Sequence, residues 1–393
     1  MINECYRFFK YDSELVESLR HVYGSDLEKF FEAIRKPGKR LYVRVNTILA
    51  NRDYVVESMA KKNIFALKDP ILDEAIYFNV EGPFDVPMEK SLVIVDKRTA
   101  ESVILGANVY VPGVLKILGK AIVNDYVTVV SPMMEPVGWG VLKINPGSIG
   151  KLKKGLAVEI KTSRYRTIKI RELEEYKTGL LYEQSLPAMI TSVILEPKPG
   201  ETIVDMCAAP GGKTTHIYQL TRGRAKLYAF DHSKSKINKL KEEIRRLKMR
   251  NITVHKADSR YLHIDYSFLK GKVDKIILDP PCSAIGVRPK LYDEKKYSDI
   301  INFAGYQFQF FKPAYELLRK NGILVYSTCT ITLEENENLL GKIVGKYRFD
   351  VEKISFRKIG SPGVKEEFKN YVLRFHPHVH DTPGYFIAKL RKF

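Results

Sequence analysis

The sequence predicts an α/β protein in three parts: an N-terminal α+β segment over residues 1–88, a small β-barrel over 89–172 and a doubly wound parallel sheet over 173–393. Three observations predict this. From Val204 onward, short apolar β-branched runs alternate with helical patterns; between 89 and 172, short strands are punctuated by Gly and Pro; before that, helical periodicity gives way to a strand. At roughly 150 residues per domain, a chain of 393 residues suggests two or three domains, each able to bury a core of its own.

In the first part, "SDLEKFFEAIRK" has the spacing of an amphipathic helix and "RLYVRVNTI" that of a strand. The second part, "SLVIVDKRTAESVILGANVYVPGVLKILGKAIVNDYVTVVS", offers short strands and one small helix near Lys97–Leu105, the habit of a small barrel. In the third, "ETIVDMCAA", "AKLYAFD", "ITVHKAD", "VDKIILD" and "GILVYSTC" read as strands, with helices over Ser233–Leu247 and Phe303–Arg319 between them. Such alternation implies a parallel sheet with its ligands at the carboxyl ends of the strands. Past Phe349, "FDVEKISF", "NYVLRFHPH" and "GYFIAKLRKF" add strands with no helix between the last two, which suits a hairpin carrying an antiparallel strand into the sheet edge.

Lys and Arg outnumber Asp and Glu by 65 to 46, and the resulting charge of +19 is spread along the chain. This favours a polyanionic partner, most simply a nucleic acid. Four widely spaced cysteines, Cys5, Cys207, Cys282 and Cys329, form no CxxC pair, which argues against a disulfide framework and a zinc site and fits a reduced, cytoplasmic setting. No signal-peptide pattern opens the chain, and no apolar run approaches the roughly 18 residues of a membrane span, so neither secretion nor membrane insertion is expected.

"VDMCAAPGGKTTHI" places small residues and two glycines between a strand and a helix, where backbone can approach a ligand at the helix N-terminus. A phosphate-cradling Walker loop would need Gly at position 207, which is Cys, and the GxGxxG fingerprint is also absent. Asp231 ends the next strand, about 20 residues beyond the glycines, where a carboxylate can hold a ribose. Asp258, at the end of the third strand, could reach an adenine amino group, and Asp279 follows the fourth. A Gly-rich turn with capping aspartates is the bland alternative for the loop alone. An adenosine ligand without a pyrophosphate, held by three strand-end carboxylates, points to S-adenosylmethionine.

Cys282 follows the fourth strand in "KIILDPPCSAIG" and Cys329 ends the fifth in "GILVYSTCTI", so a doubly wound sheet brings both toward one pocket. Each taken alone reads as a buried, inert thiol. Beside an adenosine pocket the pair has a chemical use: cytosine C5 is too electron-poor to accept a methyl group until a thiolate adds at C6. Positive surroundings such as Lys213 raise the thiolate share, and Asp279 can meet the N3 and amino edge of the base. Methylation of an exocyclic amine would want an aromatic residue where Cys282 stands. Residue chemistry leaves open which thiol attacks.

These stretches resemble the Sun family of RNA (cytosine-5) methyltransferases, whose hallmarks look like "DMCAAPGGKTT", "DPPCS" and "YSTCT". The resemblance runs from about Leu180 to the C-terminus, through "RFHPHVHDTPGYFIA", and "RVNT" at 44–47 is similar to an N-terminal element of the family. It implies a Rossmann-like class I methyltransferase domain. It also implies donor binding by Cys207, Ala208, Ala209, Pro210, Gly211, Gly212 and Lys213 with Asp231, Asp258 and Asp279. Cys329 would be the nucleophile, Cys282 would assist product release, and Asp279 and Lys213 would complete the catalytic set. "LGANVYVPGV" and "VNDYVTVVS" look like a PUA domain, an RNA-gripping barrel that often has Gly-Asp where this chain has Asn124-Asp125; Asn also tolerates positive φ. A PUA module joined to a Sun-type domain is similar to the subfamily that methylates a cytosine near the tRNA acceptor end, at position 72. Ribosomal RNA as substrate, or a non-catalytic RNA-binding assembly factor, are the other readings.

Weaker signals are His376, His378 and His380, which would share one strand face but lack a fourth metal ligand, so that phosphate contact or capping is preferred and no metal is expected. Residues 233–250 carry eight Lys/Arg against two Glu, equally a solvated face or an RNA track. Lys151, Lys153 and Lys154 are the better RNA contacts, and Trp139 reads as core rather than as a stacking platform.

Overall fold

The computed structural model describes residues 8–355 and 359–393; Cys5 and Phe356, the last residue of "FDVEKISF", lie outside the described residues. Helices Ser13–Tyr23 and Leu27–Arg35 bury Leu15, Leu19, Phe30 and Ile34 in one cluster with Ile285 and Ile331, which belong to loops at the far end of the chain. Asp12 caps the first of these helices through the Leu15 amide at 3.0 Å and accepts the Tyr297 amide as well, so the N-terminal segment is stitched to those loops. It continues into β1 (Arg40–Val45), β2 (Leu67–Lys68) and β3 (Ala75–Asn79).

Strands β4 (Leu92–Val95), β5 (Val109–Tyr110), β6 (Val114–Leu118), β7 (Tyr126–Val130), β8 (Pro136–Leu142) and β9 (Leu156–Ser163) form a sheet in the order β5-β9-β8-β7-β4-β6. Bulges in β6, β8 and β9 curl it around a core that includes Val93, Val127, Leu142 and Val158, with the helix Lys97–Val103 packed on it. Asn124 opens the turn before β7 at φ +75°, a conformation its short amide side chain tolerates. Next, β10 (Leu181–Glu183) pairs with β1 in a sheet of order β10-β1-β3-β2.

The third sheet contains β11 (Thr202–Asp205), β12 (Lys226–Asp231), β13 (Ile252–Lys256), β14 (Val273–Leu278), β15 (Leu318–Thr328), β16 (Phe349–Glu352), β17 (Leu373–Phe375) and β18 (Tyr385–Lys392). Its order is β13-β12-β11-β14-β15-β18-β16, with β17 paired to β18; β11 to β15 run parallel and β18 antiparallel to β15. The order reverses between β11 and β14, which opens a crevice above their carboxyl ends.

Four sequence expectations are corrected. The helix expected over Phe303–Arg319 is two, Tyr297–Phe308 and Phe311–Leu317: Pro313 has no N–H for a continuous helix but fits the first turn of a new one. β18 enters between β15 and β16 rather than at the edge, as befits a strand buried from Tyr385 to Leu390. A one-turn helix, Pro377–His380, lies between β17 and β18, so the three histidines do not share a strand face; Nδ1 of His380 accepts the His376 amide at 2.8 Å and His376 Nδ1 meets the Tyr23 hydroxyl at 3.2 Å. Trp139 is half-buried rather than core, stacked on exposed Tyr126 with centroids 4.3 Å apart, its Nε1 donating to Glu89 at 3.0 Å. Among the described residues no helix is long and apolar enough to cross a membrane.

Candidate active site

The loop after β11 is shaped by its own strand end. Asp205 accepts the Thr214 hydroxyl at 2.6 Å and the Cys207 amide at 3.2 Å, and burial pushes its carboxyl up to about 6 against the pull of the Thr214 bond. Gly211 starts the helix Gly212–Leu220 at φ +119°, a left-handed conformation that favours glycine, and a Cβ there would also have to displace the tip of the Leu240 side chain, 2.7 Å away. Arg44, fully buried on β1, donates to the Gly212 carbonyl at 2.9 Å and to the Thr215 hydroxyl at 2.7 Å, with its guanidinium over the Tyr182 ring. The "RVNT" segment thus braces the Gly-rich loop from beneath.

Two adjoining cavities, of about 210 and 230 Å³, occupy the crevice and share Cys207, Ala209 and Asp279. The first reaches Asp231, Asp258, Cys282 and Cys329; the second reaches Ala208, Pro210, Gly212 and Lys213. Gly211 lines neither. Asp231, buried at the end of β12, uses Oδ1 to accept the Ser233 amide at 3.0 Å. Asp258, two residues beyond β13, is gripped by the Arg260 guanidinium at 2.6 Å, and that bond holds its carboxyl below the usual range. Any adenine contact through Asp258 is therefore shared with Arg260.

Beside these carboxylates stand Tyr306 and Phe310, aromatic walls that no motif in the sequence marks. Carboxylates and aromatic rings at one end and sulfurs at the other make a donor set that fits S-adenosylmethionine, which needs a ribose acceptor and a flat adenine slot but no pyrophosphate cradle. In the second cavity, the Gln184 amide is buried with both its polar atoms unpartnered.

The catalytic end joins three strand ends. Asp279, directly after β14, accepts Lys213 Nζ at 2.6 Å on Oδ2, and on Oδ1 the hydroxyls of Ser327 at 2.8 Å and Tyr385 at 3.2 Å. Burial alone would lower the Lys213 pKa, but attraction to Asp279 and Tyr385 carries it above that of an ordinary lysine. Ser327 and Tyr385 were not singled out from sequence; a serine inside the apolar run "GILVYSTC" was the available sign.

The sulfurs of Cys282 and Cys329 stand 3.3 Å apart, both on the first cavity. The hydrogen bond from Cys282 holds the Cys329 thiol below the usual value despite burial and Asp279, with Lys213 and Lys290 adding attraction. That same bond and burial push Cys282 well up. Burial, then the charges of Asp205, Asp279 and Asp231, push Cys207 up as well, which leaves it an inert wall. Sequence adjacency on neighbouring strands anticipated the meeting of Cys282 and Cys329, but not its closeness.

Comparison with known proteins is consistent with this geometry. The family described as 16S rRNA methyltransferase RsmB/F matches residues 192–391, and the PUA domain matches residues 92–163. The chain is 40% identical over 386 residues, 97% of each chain, to a tRNA (cytosine(72)-C(5))-methyltransferase of Pyrococcus horikoshii. It is 28% identical to tRNA (cytosine(72)-C(5))-methyltransferase NSUN6 of Homo sapiens, over 93% of this chain and 87% of that one. The crystal structure of NSun6 from Pyrococcus horikoshii with SFG superposes with a TM-score of 0.89 at 39% identity, covering 97% of this chain and 98% of that one. The chain belongs to the family of S-adenosylmethionine-dependent RNA (cytosine-5) methyltransferases.

Proposed function

We propose that this protein methylates a tRNA cytosine at C5 near the acceptor end, at position 72, in the cytoplasm. The observation that carries the chemistry is the pair of sulfurs 3.3 Å apart beside a carboxylate-lined cavity. The choice of tRNA rests on the two relatives named for cytosine 72, which align over nearly the whole chain, barrel included. SFG, present in the similar crystal structure, is an analogue of S-adenosylmethionine.

Cys329 is the nucleophile. Its thiolate bonds to C6 of a cytosine extruded into the cavity, and the ring electrons move to C5. S-adenosylmethionine, when bound, supplies an electrophilic methyl group. Cys207, Ala208, Ala209, Pro210, Gly212 and Lys213 form the walls that hold it, with Gly211 shaping the turn, Asp231 and Asp258 at the adenosine end and Asp279 at the reacting end. Asp279, held from three sides, orients the N3 and amino edge of the base. Once C5 carries the methyl group a base takes the C5 proton, the freed electron pair restores the C5–C6 double bond, and the C6–sulfur pair returns to Cys329 as thiolate, a release that Cys282 assists.

Residues 1–88 brace the cofactor loop, 89–172 hold the CCA end and acceptor stem, and 173–393 carry the chemistry. Incubation with tRNA and labelled donor, followed by mapping of 5-methylcytosine, tests the assignment; label confined to ribosomal RNA would replace it. Cys329→Ser is expected to lose turnover and covalent capture, and Cys282→Ser to accumulate a protein–RNA adduct that survives denaturant. The opposite pattern would exchange the two roles.

A further inference from the structure

Both cysteines sit in loops, yet one buried dipeptide behind them grips both. Glu335 is fully buried and accepts the Ser283 amide at 2.9 Å on Oε1 and the Ser283 hydroxyl on Oε2. Ser283, the residue after Cys282, also meets the Thr330 hydroxyl at 2.7 Å, and Thr330 is the residue after Cys329. Asn336 completes the arrangement: its Oδ1 accepts the Thr328 hydroxyl at 2.7 Å and its Nδ2 donates to the Thr330 carbonyl at 3.3 Å, so it holds Cys329 on both sides. Gln307 reinforces the first loop, donating from one amide nitrogen to Glu335 at 2.8 Å and to the Pro281 carbonyl at 3.0 Å.

No cation pairs with Glu335 among the described residues; hydroxyl, amide and backbone donors satisfy it. Burial raises its carboxyl pKa, an energetic cost that packing alone would avoid with an apolar residue. Neither Glu335 nor Asn336 lines the reaction cavities.

We propose that Glu335 and Asn336 are positioning residues whose joint hold on the two loops sets the sulfur–sulfur contact of Cys282 and Cys329. Glu335 holds the Cys282 loop, Asn336 holds the Cys329 loop, and Ser283–Thr330 ties the two together. The inference rests on the reading that both thiols serve one reaction. Its consequence is specific: loosening the clamp separates the sulfurs without removing either. Cys329 then faces Asp279 with less help from Cys282, leaving Lys213 and Lys290 as its attracting charges.

Glu335→Gln and Ser283→Ala together test this: the amide sets a donor against the Ser283 and Gln307 N–H groups or makes the Ser283 and Thr332 hydroxyls turn to accept, and the alanine removes the hydroxyl that ties Glu335 to Thr330. The first readout needs no RNA: alkylation of Cys329 by iodoacetamide across pH, resolved residue by residue by mass spectrometry. The midpoint is expected to rise toward that of a free thiol, with alkylation about tenfold slower at neutral pH. The second readout is the denaturant-resistant adduct with substrate RNA, expected to accumulate as in Cys282→Ser. Wild-type behaviour in both readouts overturns the proposal. A raised midpoint without adduct accumulation supports the clamp and overturns the role of Cys282 in release. If Glu335→Gln melts below the assay temperature, Ser283→Ala carries the same two readouts with the carboxylate intact.

Discussion

Lys213 Nζ and Asp279 Oδ2 meet at 2.6 Å, although one opens the helix after β11 and the other follows β14. Parallel strands on either side of the switch point deliver an ammonium and a carboxylate to the same spot, where Ser327 and Tyr385 take the other carboxylate oxygen. Lys213→Met is therefore expected to leave Asp279 without its strongest partner and to lower the single-turnover methylation rate about 100-fold. Unchanged turnover would remove Lys213 from the catalytic set.

The rate of covalent capture is expected to rise with pH and level off, because the thiolate is the attacking form. Its midpoint should lie below that of a free thiol, about 8.5, since the Cys282 hydrogen bond holds Cys329 down. Cys282→Ala deletes that donor and should move the midpoint up, read from rapid-quench adduct formation at a series of pH values.

Stability is expected to fall as pH drops from about 6.5 toward 4. His216 is fully buried on Glu74 at 2.7 Å, and burial, with the charge of Arg44, lowers its pKa to about 4. The unfolded chain takes up that proton near pH 6.5, so it binds more protons than the folded chain across the interval and gains on acidification, by about 3 kcal/mol in all. His216→Gln should flatten this part of the pH dependence of the urea midpoint. A difference between the two proteins that stays constant with pH would refute the assignment.

Lys151, Lys153 and Lys154 are exposed on the loop before β9. If they neutralise RNA phosphates, replacing all three with alanine should weaken binding at low salt. The slope of log affinity against log salt should then flatten by about 0.7–0.9 for each phosphate that goes without its lysine. Filter binding at several salt concentrations measures it, and an unchanged slope would place the RNA track elsewhere on the barrel.

The parts of this protein that sequence reading reached are those governed by local rules. Strand ends carrying Asp231 and Asp279, the Gly-rich loop through Gly211 and Gly212, and the tolerance of Asn124 for positive φ all follow from periodicity and backbone sterics. Where local rules compete, the sequence misleads: helical periodicity runs straight through Pro313, and the alternation of His376, His378 and His380 suits a strand they do not occupy. Trp139 looked like core because its size favours burial, yet Tyr126 and Glu89 give it a partner and a hydrogen bond near the surface.

By itself the sequence determined that two thiols, a lysine and three carboxylates would gather at the carboxyl edge of a parallel sheet, because alternating strands and helices make the strands parallel and every loop that follows a strand then leaves from the same edge. Only the tertiary structure decided the distances. The 3.3 Å between sulfurs, the three donors on Asp279 and the hold of Glu335 on Ser283 join residues 47 to 106 positions apart or lie in loops whose course is set by packing. No periodicity encodes such contacts: they arise when loops that are individually free are closed against one another by buried polar groups that must find partners.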